Sequence, residues 1–226
     1  MTLNWDELKG WLRDQGPIQV AAGEVRAIRD GFELARMQDL AGLDSAVSLA
    51  LPLPAEVLAG ITAGPTLLYK HAYAQANYLL DKTALGLALR LQEAGARALP
   101  IPASQIITWD PLRAHVDHRR VAVRLGQGWY GRNNLLVTPG RGAQVRLVTV
   151  LTSAPLVEPG PWADHQGESG CGDCRRCASK CPVNAIHDGP ADFNLPACAD
   201  RTREFEKIRG IGQRICGVCV RACGGQ

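Results

Sequence analysis

Cys171-Gly172-Asp173-Cys174-Arg175-Arg176-Cys177-Ala178-Ser179-Lys180-Cys181-Pro182 sets four thiols two, two and three residues apart and closes on a proline. This is the spacing of an iron–sulfur ligand run. A second group, Cys198 and then Cys216, Cys219 and Cys223, brings the count to eight, all within the last quarter of the chain. Three closely spaced thiols can wrap one corner set of a cubane, while the fourth, followed by proline, crosses to the other centre, as in two-cluster ferredoxins. On that logic Cys171, Cys174 and Cys177 with Cys223 hold one [4Fe–4S] cluster, and Cys198, Cys216 and Cys219 with Cys181 hold a second. Zinc is the alternative ligand. Structural zinc sites draw on separate Cys-x₂₋₄-Cys knuckles, and three tight thiols followed by Cys-Pro are awkward for two tetrahedra.

Working outward, residues 168–226 carry few large apolar side chains, chiefly Ile186, Phe193, Leu195, Phe205, Ile208, Ile211 and Ile215. A segment this poor in core needs a metal to fold. Between Pro155 and Gly170 the chain is rich in proline and glycine and lacks periodicity, so a linker is expected there, dividing domain 1–158 from domain 159–226. The cations Arg201, Arg203, Lys207, Arg209 and Arg214 alternate with Asp200, Glu204 and Glu206, the pattern of a solvated helix face with i,i+3 and i,i+4 ion pairs. A net charge of +3 over 226 residues is too small to call for a nucleic-acid partner. The N-terminal residues lack a basic flank followed by an apolar run, and no stretch reaches the ~20 apolar residues of a membrane span. Clustered thiols in such a chain fit a reducing cytoplasm rather than a disulfide framework.

The first 158 residues mix helix and strand signals. Helices are expected over 5–14, 24–40, 66–95 and 119–125, the last capped by Asp117; strands are expected over 18–22, 46–51 and 96–101. Segments 134–138 and 144–151, joined by Pro139-Gly140-Arg141-Gly142, read as an antiparallel hairpin. The expected fold is α/β or α+β over a mixed sheet, followed by a small ferredoxin-like domain with two clusters.

Gly126-Gln127-Gly128-Trp129-Tyr130-Gly131 matches G-x-G-x-x-G by letter. A dinucleotide site also needs a strand before it, a helix after it and an acid about 20 residues on. Here a helix precedes, a strand follows, and no Asp or Glu occurs from Gln127 to Val157.

The run Gly128 to Val137, the segment Arg146-Leu147-Val148-Thr149-Val150-Leu151-Thr152 and the cysteine run together resemble the epoxyqueuosine reductases and their shorter double-cluster relatives. The resemblance implies a nitroreductase-like α/β domain that binds a corrinoid, cobalamin, and two [4Fe–4S] clusters that feed electrons to it. It implies Gly128, Trp129, Gly131, Arg132 and Asn133 as the segment near the corrinoid, with Arg132 where lysine is usual. It implies Asp117 as the nearest match to the family's proton donor, although the interval to Gly128 is short. The chain stops three residues after Cys223, without the helical repeats that hold tRNA, so a small molecule or a modified nucleoside is the expected substrate in place of a whole tRNA. An external one-electron donor of ferredoxin or flavodoxin type is implied. The leading expectation is therefore a cobalamin-dependent reductase, and the rival is a non-catalytic electron carrier without corrinoid. His115, His118 and the Tyr69-Lys70-His71-Ala72-Tyr73 segment are further candidates whose structural roles compete with site roles.

Overall fold

The structure is a computed structural model and describes residues 4–225; residues 1–3, part of the stretch read for an export signal, lie outside it. In chain order the elements are α1 (Trp5–Asp14), β1 (Gln19–Glu24), α2 (Arg26–Arg29), β2 (Ser45–Pro52), α3 (Ala55–Ala59), α4 (Leu67–Glu93), β3 (Ala98–Ile101), β4 (Thr108–Trp109), β5 (Leu112–Arg113), α5 (His118–Arg124), β6 (Trp129–Tyr130), β7 (Leu136–Val137), β8 (Val145–Thr152), α6 (Arg176–Lys180), α7 (Leu195–Glu206) and α8 (Val218–Ala222). Among the described residues, no helix is long and apolar enough to cross a membrane.

The chain forms two compact units, each assembled from three stretches: 1–51, 77–127 and 146–166 in one, 52–76, 128–145 and 167–226 in the other. This differs from a single cut at 158. The expected linker is stitched into the first unit: Ala22 and Glu158 exchange backbone hydrogen bonds, and the Gly160 N–H donates to the Leu125 carbonyl. Backbone at Gly160 and Gly126 packs so closely that a Cβ on Gly160 would come 2.5 Å from Gly126.

The first unit is built on a four-stranded sheet of order β1-β2-β8-β3, with β1 antiparallel to β2 and β3 antiparallel to β8. The mixed α/β expectation holds. The central strands β2 and β8 are buried almost throughout, which suits their uninterrupted apolar runs. Val25, Phe32, Leu34, Val121, Leu125 and Leu151 share one core. α1 is capped by Asn4, whose side chain accepts from the Glu7 N–H, and carries Leu8 and Leu12 inward.

Two expectations are corrected. The helix expected over 24–40 is only α2 and a single 3-10 turn, Glu33–Arg36. Val25, Phe32, Leu34 and Leu40 all face the core, which one straight helix cannot achieve, and Phe32 becomes extended between them. The hairpin expected from 134–138 and 144–151 does not form: β7 pairs with β6, while β8 lies between β2 and β3. A strand buried on both faces needs neighbours at both edges to satisfy its N–H and C=O groups, and one hairpin partner leaves an edge open.

Candidate metal centre

All eight cysteines lie in the second unit, together with Gly128–Asn133. α6, which carries Cys177, packs against α8, which carries Cys219, and α3 also packs on α8. Gly217 opens α8 at φ +85°, and a Cβ there would lie 2.6 Å from the Tyr69 ring and 2.8 Å from Ile61. Tyr69 and Tyr73, edge to face at 6.2 Å, are therefore packing residues of the cysteine unit. The same contacts explain why residues 52–76 belong to it.

The free thiols fall into two electrostatic sets. Burial pushes Cys177 up to about 11, and the charges of Cys223, Cys171 and Cys174 add to the shift. Cys223 is raised by burial and then by Cys171 and Cys174. Burial takes Cys198 to about 11, reinforced by Cys216 and Cys181. Cys219 is raised by burial, with Cys216, Cys198, Cys177 and Cys181 acting on it in turn. Cys216, raised by burial, also feels Cys181. The sets are Cys171, Cys174, Cys177, Cys223 and Cys181, Cys198, Cys216, Cys219, with the Cys177 charge also acting on Cys219. Buried thiols of this kind remain protonated unless a cation compensates their charge, which is the chemistry of a metal-ligating set.

The first set lines a cleft of about 390 Å³, partly open to solvent, together with Trp129, Arg132, Asn133, Gly170, Arg176 and Gly225. Among the described residues, no three His, Cys, Asp or Glu converge closely enough for a single metal ion. Four sulfurs lining one cleft are the donor set that a multi-iron cluster takes. Donors point at the thiols. The Trp129 indole donates to Cys171 Sγ at 3.3 Å and the Ala185 N–H to Cys181 Sγ at 3.3 Å. Cys174 is lowered by the Arg176 backbone N–H and then by its guanidinium. The residues present fit iron–sulfur clusters.

The fourth thiol of the first set arrives from the far end of the chain through the turn after β7. Ala143 N–H donates to the Cys223 carbonyl at 3.1 Å and Gln144 Nε2 to the Arg221 carbonyl at 3.0 Å. Gly142, at φ +59°, lets that backbone through: a Cβ there would stand 2.1 Å from the Cys223 carbonyl oxygen. The Pro139–Gly142 turn is a dock for the C-terminal ligand.

The glycine-tryptophan segment packs against β7 and the cysteine loop. A Cβ on Gly128 would lie 2.0 Å from the Val137 carbonyl, and one on Gly131 would lie 2.5 Å from Val137 Cγ2. These glycines let β6 and β7 close on each other. Arg132 donates from Nε to the Cys174 carbonyl at 3.1 Å, from Nη2 to the Gly172 carbonyl at 2.6 Å, and from Nη1 to the Asp188 carbonyl. It clips the cysteine loop. Asn133 is 3% exposed, accepts from the Leu135 N–H, and keeps a buried Nδ2 without a partner among the described residues. The indole and the cation of this segment engage the cysteine loop, and the Asn133 amide faces the same cleft.

Asp117 lies in the first unit. It is the N-cap of α5, accepting from the Arg119 N–H at 3.0 Å, and it pairs with the Arg119 guanidinium at 2.8 and 2.7 Å. Burial pushes its carboxyl up, but the Arg119 bonds and charge outweigh burial and the net shift is downward. A proton donor at neutral pH needs the opposite shift, so in this conformation Asp117 is a cap and an ion-pair member. His118 is a structural residue, its ring nitrogens 2.8 Å from Thr149 Oγ1 and 3.0 Å from the Pro102 carbonyl, and burial lowers its pKa. The α7 cations pair locally, Arg201 with Glu204 and Arg203 with Asp200. Missed in the sequence were Arg176, Ala185 and Gly142. A cation within the thiol run was a usable signal for the first; the other two act through backbone and carried none.

Fold and site together define a class: a mixed α/β chain carrying a unit that gathers eight free thiols. No family model matches the chain. Within that class it resembles the epoxyqueuosine reductases, as its cysteine run and glycine-tryptophan segment led one to expect. The enzyme of Listeria monocytogenes is 33% identical over 111 residues, 46% of this chain and 28% of that protein. That of Synechococcus sp. is 40% identical over 114 residues, 45% and 32%. Tetrachloroethene reductive dehalogenase of Sulfurospirillum multivorans is 33% identical over 111 residues, 45% and 22%. The chain spans about a quarter to a third of the length of these relatives. Among solved structures, the reductive dehalogenase NpRdhA with 3-bromo-4-hydroxybenzoic acid matches 91% of this chain and 29% of its own at TM-score 0.67 and 18% identity. An epoxyqueuosine reductase with an epoxyqueuosine-modified tRNA stem loop matches 97% and 64% at TM-score 0.62 and 20% identity. At these identities the structures speak to fold.

Proposed function

We propose that the chain is an iron–sulfur oxidoreductase resembling epoxyqueuosine reductase, in which Cys171, Cys174, Cys177 and Cys223 hold one [4Fe–4S] cluster and Cys181, Cys198, Cys216 and Cys219 a second, passing electrons to a cobalamin. The observation that carries this is that one unit gathers all eight thiols, four of which, Cys171, Cys174, Cys177 and Cys223, line a single cleft. Zinc suits three tight thiols followed by Cys-Pro less well than it suits two separate Cys-x₂₋₄-Cys knuckles. In functional terms, residues 1–158 are the nitroreductase-like substrate and corrinoid part and 159–226 the ferredoxin-like part, which borrows 52–76 and 128–145 for its packing.

When bound, cobalamin supplies a cobalt centre that takes up single electrons and reduces an electrophilic carbon. The chain's own residues do the wiring. The thiols fix the irons, Arg132 locks the loop that carries Cys174, and the Pro139–Gly142 turn brings in Cys223. Relatives described with B12-dependent dehalogenation and with a modified tRNA stem loop support an electrophilic small molecule or a modified nucleoside as substrate class, with a ferredoxin- or flavodoxin-type protein as donor.

Anaerobically purified protein is expected to be brown, with about eight irons and eight sulfides per chain. Colourless zinc protein would end the two-cluster reading. Reconstitution with cob(II)alamin is expected to give a spectral shift and a retained corrinoid; iron-replete protein that gives neither would be an electron carrier instead.

A further inference from the structure

We propose that the indole N–H of Trp129 and the guanidinium of Arg176 raise the reduction potential of the cluster held by Cys171, Cys174, Cys177 and Cys223 above that of its neighbour, making it the electron-receiving member of the pair. The inference rests on the two-cluster reading and goes beyond it by assigning a direction and the residues that set it.

An indole nitrogen only donates, so the 3.3 Å contact from Trp129 Nε1 to Cys171 Sγ has one polarity: it stabilises negative charge on that sulfur. The donor is fixed in place. Trp129 is 5% exposed, and a Cβ on Gly170 would lie 2.7 Å from its ring, so only glycine admits the indole at this position. Arg176 lines the same cleft as Cys171, Cys174, Cys177 and Cys223. Arg132, clipped to the carbonyls of Cys174 and Gly172, adds a second cation near the same thiol, and the buried Nδ2 of Asn133 lines the same cleft.

The other set is dressed differently. Cys181 receives the Ala185 N–H. Reduction adds one negative charge, which N–H donors and cations favour, so the indole N–H, the Arg132 and Arg176 guanidiniums and the Asn133 amide around the first cleft favour the reduced form there. One electron leaves an external one-electron donor of ferredoxin or flavodoxin type and comes to rest at the Cys171 set. No bond forms or breaks.

The experiment is a potentiometric titration of the anaerobic holoprotein followed by EPR, with the two signals assigned through Cys223→Ser and Cys216→Ser. The signal altered by Cys223→Ser is expected at the higher potential. Trp129→Phe keeps the ring and removes the donor; at a fixed potential the reduced-to-oxidised ratio of that cluster should fall about tenfold, about 59 mV for a one-electron couple, with the other signal unmoved. Arg176 is exposed, so Arg176→Gln folds and should shift the same signal in the same direction by less; it decides the matter if Trp129→Phe does not retain iron. Unchanged potentials in an iron-replete variant, or an equal fall in both signals, overturn the inference while leaving the two-cluster reading in place. Protein that holds zinc or no iron overturns both.

Discussion

Gly142→Ala isolates the placement of the fourth ligand of the first set. The Cβ would stand 2.1 Å from the Cys223 carbonyl oxygen, against the 3.0 Å that real Cβ contacts respect, a deficit of about 0.9 Å. The obstacle is backbone, so no rotamer change relieves it. Gly142 also sits at φ +59°, where an L side chain costs roughly 1 kcal/mol. If the turn moves away, the Ala143 N–H to Cys223 carbonyl bond goes too, at about 1 kcal/mol. A total of about 2 kcal/mol falls on the few residues that hold Cys223 in place. Anaerobic reconstitution followed by iron analysis should find about half the wild-type iron, with the EPR signal of the Cys181 set intact. Gly140→Ala, three residues from Ala143 with open space around its Cβ, is the control and should keep full iron. Full iron occupancy in Gly142→Ala would refute the docking of Cys223 through this turn.

Other outcomes follow from the same geometry. Cys223→Ser and Cys216→Ser should each disturb one EPR signal and spare the other; a single variant that abolishes both equally would contradict the two sets. Asp117→Ala should cost about 1 kcal/mol of stability in denaturant unfolding, whereas Asp117→Asn, still a good cap, should cost less; loss of all turnover in Asp117→Asn with unchanged stability would restore an acid role. Because the folded carboxyl of Asp117 is held below its unfolded value, its contribution is complete above the unfolded carboxylate pKa of about 4 and disappears as pH falls through the lower folded value. The stability gap between wild type and Asp117→Asn should therefore be flat from pH 6 to 8 and close below about pH 4. Leu151→Ala, fully buried in the core of the first unit, should cost about 2–5 kcal/mol, read from the shift in urea midpoint.

The thiol site was legible because it is written locally: thiols two and three residues apart fall on one loop whatever surrounds them, and Cys-Pro turns the fourth away. The buried runs of β2 and β8 and the long α4 were legible for the same reason, since period and burial are properties of neighbouring residues. Asp117 as a cap was equally readable, its carboxylate lying just ahead of a helical run. What sequence could not settle were choices among partners distant in the chain. β8 could equally have paired with β7; only the stacking of β2 and β3 beside it, which satisfies both its edges, decided otherwise. Arg132 and Trp129 had the character of ligand contacts, a free cation and an aromatic plane, until folding laid the cysteine loop against them 40 or so positions later. The gathering of Cys171, Cys174 and Cys177 was foreshadowed by spacing, but the approach of Cys223 to their cleft depended on a glycine turn over 80 residues upstream. The sequence by itself determined the kind of chemistry, because ligand type and spacing are local; tertiary structure decided which residues serve the metal, because backbone donors, close glycine contacts and carbonyl clips exist only once remote segments meet.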